Sequence, residues 1–459
     1  MTRREVVRVA SGQGFWGDDL EAPVRQVEGG PIDYLMLDYL AEVTMSIMQK
    51  QRSRDPHAGF ARDFIPLMER IFPACADKSI RVVTNAGGVN PVGCAEALVE
   101  AGRRAGVSGR SAIGIVTGDD LMGRLETLLD GGHELANMET GEPLARVLDR
   151  VQSANVYIGA RPIVEALALG AQVVVTGRST DTALTYGPLI HEFGWDWSDH
   201  DRLAAGVVAG HLNECGAQCS GGNCLADWWT LPDMAGVGFP IIEAAPDGTF
   251  VVTKHGGSGG RVSLATVKEQ IVYEMGDPST YITPDVTADF TTIRLEETHQ
   301  DRVRVHGVKG RAATPFLKVS IAYSAGFKAV GSLVYAWPDA AAKAKAAGRI
   351  LRERLDRLGL EFQDVRVELV GWDSTHGHLA GPPPSDLPEV QLRIGVRSED
   401  RSAVDRFTRE IAPLVLTGPP SVTGFAGGRP RVQEIMAYWP ALIDRTVVEP
   451  GLEVEIVHV

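Results

Sequence analysis

Asp38 and Glu42 lie four residues apart in "MLDYLAEVTM", where an apolar run ends. That spacing puts both carboxylates on one helix face. A pair so placed does acid/base work or holds a divalent metal; the plainer alternative is a solvated helix start with acids near its positive dipole. "TGRSTD" brings Arg178, Ser179 and Asp181 together. A guanidinium there meets a carboxylate or phosphate bidentately, unless an ion pair with Asp181 absorbs it. "TNAGGVNP" sets Asn85, Gly87, Gly88 and Asn90 before a helix whose first turn holds Pro91. Its backbone N–H groups form an anion site, or else the segment is a tight turn with an N-cap.

Two glycine-rich turns and one cysteine-rich stretch add candidates. In "SGQGFWGDD", Gly12, Gly14 and Gly17 match G-x-G-x-x-G behind the run "EVVRVA". A dinucleotide fingerprint needs a helix start that welcomes a diphosphate. Asp18 and Asp19 would repel one, and Trp16 is bulky where the backbone must approach, so the segment reads as a substrate loop with Gly14 and Trp16 at a crevice. "KHGGSGG" offers Lys254, His255, Gly256 and Gly257 as a clamp for an anionic tail, or as a wide hairpin turn. In "HLNECGAQCSGGNC" the spacing of His211, Cys215, Cys219 and Cys224 is not a standard zinc or cluster pattern. Cys215, with Glu214 or His211 nearby, is a candidate nucleophile; otherwise these are buried small residues.

The elements that must carry these groups alternate short apolar runs with helical patterns over the first ~190 residues. The runs are Val6–Ala10, Tyr34–Leu37, Ile80–Thr84, Ala112–Thr117, Val156–Gly159 and Val173–Thr176. The expected fold is α/β, an N-terminal doubly wound, mostly parallel, Rossmann-like sheet in which polar segments emerge at the carboxyl edge, where ligands bind. Residues of about 190–295 read as further loops delivered to that crevice, with a helix capped near Ser263. From about 300 the order becomes strand-helix-strand-strand-helix-strand, a smaller α+β, split βαβ, ferredoxin-like domain. The domains are therefore set at 1–299, carrying the crevice, and 300–459, a lid or oligomerisation domain. Two long Pro/Gly connections, "DSTHGHLAGPPPSDLP" and "TGPPSVTGFAGGRPR", interrupt the second domain.

Composition bounds the partners. With 44% hydrophobic and 23% charged residues among 459, a large core is available. A net charge of −14 argues against nucleic acid and anionic membranes. No apolar run is long enough to span a bilayer, and the first residues lack a signal core. Five cysteines in so long a chain do not suggest a disulfide scaffold, so the cytoplasm is expected. We expect a small-molecule substrate, a homo-oligomer and no cofactor, with coenzyme A entering only as part of a substrate and a divalent metal as the alternative use of the acid pair.

Several stretches taken together resemble one family. "DYLAEVTMSIM", "TNAGGVNPVGCAEAL", "GRSTDTALTYGPLIHEFGW", "GHLNECGAQCSGGN" and "GGSGGRVSLATVKEQIVYEMGDPSTYITPDVTADF" are similar, in order, to the AtuA family of acyclic terpene utilization proteins. The likeness runs from residue 5 to about 330 and continues beyond only in outline. It implies a soluble bacterial enzyme of catabolism, in a family associated with citronellol- and geraniol-type acids handled as coenzyme A thioesters. The family keeps "ECGAQ" but other residues at the positions of Cys219 and Cys224, and it carries a different turn where this chain has "HGGSGG".

The function expected is a lyase- or hydratase-like enzyme acting on a carboxylate or acyl-CoA. Asp38, Glu42 or Asp181 serves as base, while Arg178 and the two glycine turns stabilise an oxyanion. The alternatives are a Cys215-dependent acyl transferase or hydrolase, and a non-catalytic subunit of an acyl-CoA carboxylase-type complex.

Overall fold

The computed structural model describes residues 4–424 and 427–459. Residues 425–426, within the second Pro/Gly connection, lie outside the described residues. The chain forms two compact units. One comprises the described residues of Met1–Ala322 together with Tyr438–Val459, and the other those of Tyr323–Ala437.

Five short apolar runs pair in parallel at the centre of the first unit. They are β1 (Val7–Gln13), β2 (Tyr34–Leu37), β3 (Arg81–Thr84), β4 (Ala112–Thr117) and β6 (Val173–Val175), in the order β1-β2-β3-β6-β4. Nearly every residue of these strands is buried, as expected of a parallel sheet covered on both faces. The expected run at 156–159 is not among them. Its strand, β5 (Val151–Val156), pairs with β14 (Phe316–Ala336) instead. The physical reason is that β4 and β6 already pair directly, Ile113 opposite Val173, and the Tyr157 N–H donates to the Lys318 carbonyl at 2.9 Å.

The sheet is mixed rather than mostly parallel. β7 (Ile241–Ala244), β8 (Phe250–Thr253), β11 (Arg294–His299) and β12 (Arg302–His306) extend it antiparallel beyond β1. A tight turn at Ala245–Thr249, where "PDG" supplies turn chemistry, joins β7 to β8. The region expected as loops thus adds strands. At the opposite edge β19 (Glu453–His458) runs antiparallel to β4. β9 (Tyr281–Ile282), β10 (Val286–Asp289) and β13 (Lys309–Ala312) form a separate small sheet. These pairings place residues 300–322 and the last strand in the first unit, where a boundary at 299/300 was expected.

Helices cover both faces. Helix Phe64–Lys78 buries Phe64, Leu67, Met68, Ile71, Phe72 and Cys75, a one-face apolar stripe, in a core with Leu35, Leu37, Leu98 and Val173. Helix His200–Glu214 is buried from Leu203 through Asn213. Its small residues allow close approach to helix Ala183–Phe193: a Cβ on Gly210 would lie 2.6 Å from the Thr182 carbonyl. No described helix is long and apolar enough to cross a membrane.

In the second unit β15 (Asp364–Val370), β16 (Glu389–Ser398), the later part of β14 and β17 (Val422–Gly424) are linked antiparallel in the order β15-β16-β14-β17, and β18 (Gln433–Asp444), most of which belongs to the first unit, pairs with β14. Along β16, Val390, Leu392, Ile394 and Val396 alternate inward and share a core with Ala344 and Leu351 of helix Ala340–Arg357 and Phe407 of helix Arg401–Glu410.

Gly87, just after β3, tests how tightly the carboxyl edge is built. A Cβ there would sit 2.5 Å from the Thr176 carbonyl oxygen and 2.9 Å from the Pro91 Cα, both backbone. Gly87→Ala should therefore lower stability by about 1–3 kcal/mol, read as a lower urea midpoint at constant slope. An unchanged midpoint would show that β3 and β6 can part at this point.

Candidate functional site

The parallel strands deliver their carboxyl ends to one edge, and the segments leaving them build a cluster of charge. Asp38 follows β2 and is 4% exposed. Its Oδ1 accepts from Asn85 Nδ2 at 2.7 Å and from the Leu40 N–H at 3.0 Å. Asn85 in turn accepts from the Tyr39 N–H at 2.7 Å, so the residue after β3 fixes both the carboxyl and the backbone after β2. Burial pushes the Asp38 carboxyl up to about 7, although Arg178 and these donors favour its ionised form.

Arg178 is 2% exposed. Its backbone N–H donates to Asp119 Oδ2 at 2.8 Å, and Nη1 donates to the Leu40 carbonyl at 2.8 Å. Nη1 also lies 3.0 Å from Asp181 Oδ1, and Nη2 donates to Asp181 Oδ2 at 3.2 Å. The guanidinium carbon stands 4.2 Å from the Tyr157 ring centre, a cation–π contact. Burial works against the charge, but Asp181, Tyr157, Asp38 and Glu42 outweigh it and hold the guanidinium protonated. The ion pair with Asp181 that sequence left as an alternative is thus present.

Asp181 is raised well above the carboxylate range, first by burial and then by Asp38, Glu214 and Glu42, with Arg178 opposing. Glu42 behaves differently. Burial raises it, but the Tyr157 hydroxyl, donating at 2.7 Å, together with Arg178 and Lys318, brings it below its ordinary value. Asp38 and Glu42 do not share a helix face: the helix begins at Glu42, and Asp38 precedes it in the strand exit. Glu42, Tyr157, Arg178, Asp181, Tyr281 and Lys318 line a cavity of about 220 Å³ with Ile282, Pro284, Phe316 and Leu317. Lys318 Nζ lies 4.9 and 5.6 Å from the ring centres of Tyr157 and Tyr438.

The end of helix His200–Glu214 adds a second group. His211 Nδ1 faces Glu214 Oε1 at 3.1 Å, and Nε2 faces the Gln270 carbonyl at 2.8 Å. With acceptors at both nitrogens, Glu214 overcomes the effect of burial and His211 holds its proton above the ordinary range. Burial, then Glu214, raises the Cys215 thiol far above its normal value. Cys219 and Cys224 are buried. Among the described residues no three His, Cys, Asp or Glu side chains converge as a metal site.

Other residues singled out in the sequence have local duties. Gly14 packs on the chain after the buried helix: its Cβ would lie 2.8 Å from Cys215 C and Gly216 N. Its N–H donates to Asp18 Oδ2 at 3.0 Å. Trp16 Nε1 donates to Asp63 at 2.8 Å. Asn90 caps helix Pro91–Arg104, accepting from the Gly93 N–H, and donates to the Ala58 carbonyl. Gly88 abuts Met48 and the Gly59 carbonyl. Ser179 is buried, its Oγ 3.3 Å from Thr176 Oγ1. Lys254 donates to the Ser258 carbonyl at 2.9 Å and lies 3.5 Å from Asp301. The turn carrying it, with Gly257, lines a different cavity of about 640 Å³, and Gly256 and Gly257 are exposed beside another of about 340 Å³. The structure therefore gathers Asp38, Glu42, Asn85, Arg178 and Asp181, and not the "GGSGG" turn, around one centre.

The model of the acyclic terpene utilisation family protein AtuA matches residues 7–454, nearly the whole chain. This chain belongs to the AtuA family. No curated protein and no solved structure matches it. In this AtuA-family chain, sequence reasoning missed Tyr157, Lys318 and Asp119. Tyr157 lay inside the run expected at 156–159 and so read as a strand residue, whereas the strand itself ends at Val156. Lys318 comes from a distant strand and gave none.

Burial of acids sets the pH response. The Asp38 carboxyl rises from 3.8 to about 7 and Asp119 to about 6. Their stabilising contribution is complete below the unfolded pKa and is lost as pH rises through the folded one. Asp38→Asn keeps an Oδ1 for both donors but cannot ionise. Relative to wild type it should gain at least about 1 kcal/mol between about pH 5 and about pH 8 in urea unfolding. A constant difference across that range would mean that Asp38 ionises normally.

Proposed function

We propose that this AtuA-family chain is a catabolic enzyme that moves a proton next to a carbonyl or carboxylate, in a lyase- or hydratase-like reaction on a small acid or its thioester. The observation that carries this reading is Asp181 held 3.0 Å from Arg178 in a lined cavity, beside a buried Asp38 whose carboxyl is pushed up to about 7. A group poised near neutrality can both accept and return a proton. Asp181 lines the cavity, and Asp38, which does not, is close enough to raise the Asp181 carboxyl. Asp181 takes the proton from the carbon next to the carbonyl, the C–H electron pair moves toward the carbonyl oxygen, and Arg178 and Lys318 balance the charge that develops there. In the lyase direction the electrons then return to expel a neighbouring hydroxyl, which leaves as water with a proton from the site.

The family's name for acyclic terpene utilisation supports a catabolic role. Five parallel strands with polar residues at their carboxyl ends support a Rossmann-like reading of the first unit, and the β-α-β-β-α-β order supports a ferredoxin-like second unit. The Cys215 reading has less support, since both nitrogens of His211 are occupied elsewhere and the thiol is held protonated.

Incubating the protein in D₂O with branched carboxylic acids and their coenzyme A thioesters, and following mass, tests the proposal. We expect deuterium at the carbon beside the carbonyl, or gain or loss of water, in at least one of them. Asp181→Asn should slow this by about 10²–10⁴-fold. Exchange that survives Asp181→Asn unchanged would remove the assignment.

A further inference from the structure

We infer that the cavity at Arg178 takes a free amphipathic monocarboxylate, its anionic head on the Lys318 ammonium and its hydrocarbon chain on Ile282, Phe316 and Leu317. The inference rests on the acid/base reading above and names the substrate form that it leaves open.

Three observations carry it. First, Lys318 Nζ has aromatic company and, among the described residues, no protein acceptor within hydrogen-bond reach. It stands over the Tyr157 and Tyr438 rings, and its nearest carboxylate oxygen, on Glu42, is 3.9 Å away, beyond hydrogen-bond reach. The Glu42 carboxylate already accepts from the Tyr157 hydroxyl at 2.7 Å. The partly exposed Lys318 ammonium therefore lines the cavity with no protein oxygen bonded to it. Second, Arg178 lines the same cavity, so a second positive charge stands by, and a carboxylate's two oxygens are acceptors of the right charge. Third, the same cavity is walled by apolar groups that are open to it: Ile282 is 57% and Phe316 47% exposed. Exposed large apolar side chains beside cationic groups describe a ligand with a charged end and an oily end.

Chemistry and size favour the free acid over a thioester. Taking a proton from the carbon beside a carboxylate places a second negative charge on that carboxylate, which calls for two cationic groups; a thioester oxyanion carries one. The cavity holds about 220 Å³, below the roughly 300–1,000 Å³ of sites that enclose drug-sized ligands. That is room for an acyl chain and not for coenzyme A.

Calorimetric titration of the full chain with octanoate, octanol and octanoyl-CoA tests this. Octanoate should bind at least about tenfold more tightly than octanol, and Lys318→Met should bring it down to the level of octanol. The Lys318 side chain is 42% exposed, so the variant should keep the urea midpoint of the wild type. Ile282→Asp should weaken octanoate as well. The inference is overturned if Lys318→Met binds octanoate like wild type, or if octanoyl-CoA binds as tightly as octanoate and is displaced by it. Octanoate binding that persists in Asp181→Asn, with no deuterium exchange in wild type, would uphold this ligand class while removing the acid/base reading.

Discussion

A guanidinium with almost no exposure organises the carboxyl edge of the sheet. Arg178 keeps its charge whatever its surroundings, so the surroundings must answer it. The Leu40 carbonyl, the Asp181 carboxylate and the Tyr157 ring do so from three different segments, and Asp119 fixes the backbone that presents it. Removing one partner of such a buried pair typically costs about 3–5 kcal/mol. Folding therefore draws on the same residue that the proposed reaction uses. Burial raises the Asp38 and Asp181 carboxyls against the pull of that one guanidinium.

The buried helix His200–Glu214 constrains the site from the other side. Its small residues let it sink against helix Ala183–Phe193, and Gly14 lets the loop after β1 close over its end. Glu214 is thereby held near enough to Asp38 and Asp181 to raise both. His211, bonded at both nitrogens, supplies a compensating charge rather than a base for Cys215. In the cysteine-rich string, Cys219 and Cys224 are buried and the Cys215 thiol is raised by burial and by Glu214.

Much of this was legible in the chain. The runs 34–37, 80–84, 112–117 and 173–176 fall on parallel strands because a strand buried on both faces must be apolar throughout. Asp38, Glu42, Asn85, Arg178 and Asp181 were found because polar residues directly after such runs gather at one edge. What escaped is non-local. Whether a run joins the central sheet depends on which strands are already neighbours, and β5 lost its place to the direct pairing of β4 with β6. The antiparallel strands of the middle section are short and only partly apolar, so their "PDG" turn was the better signal. Tyr157 and Lys318 meet through the pairing of β5 with a strand far along the chain, which no local pattern encodes. The glycines at 87 and 88 were read as ligand contacts, whereas what they touch is protein backbone and Met48.

The last strand has a consequence for the order of assembly. β19 completes the edge of a sheet whose other central strands all precede the second unit, and its partner is β4. During synthesis the amino-terminal portion emerges first, yet the β4 edge stays unpaired until the entire intervening unit has been made. An open strand edge invites pairing with another chain. The nascent protein thus carries a sticky margin for most of its translation, and a shortened product ending before Glu453 would carry it permanently.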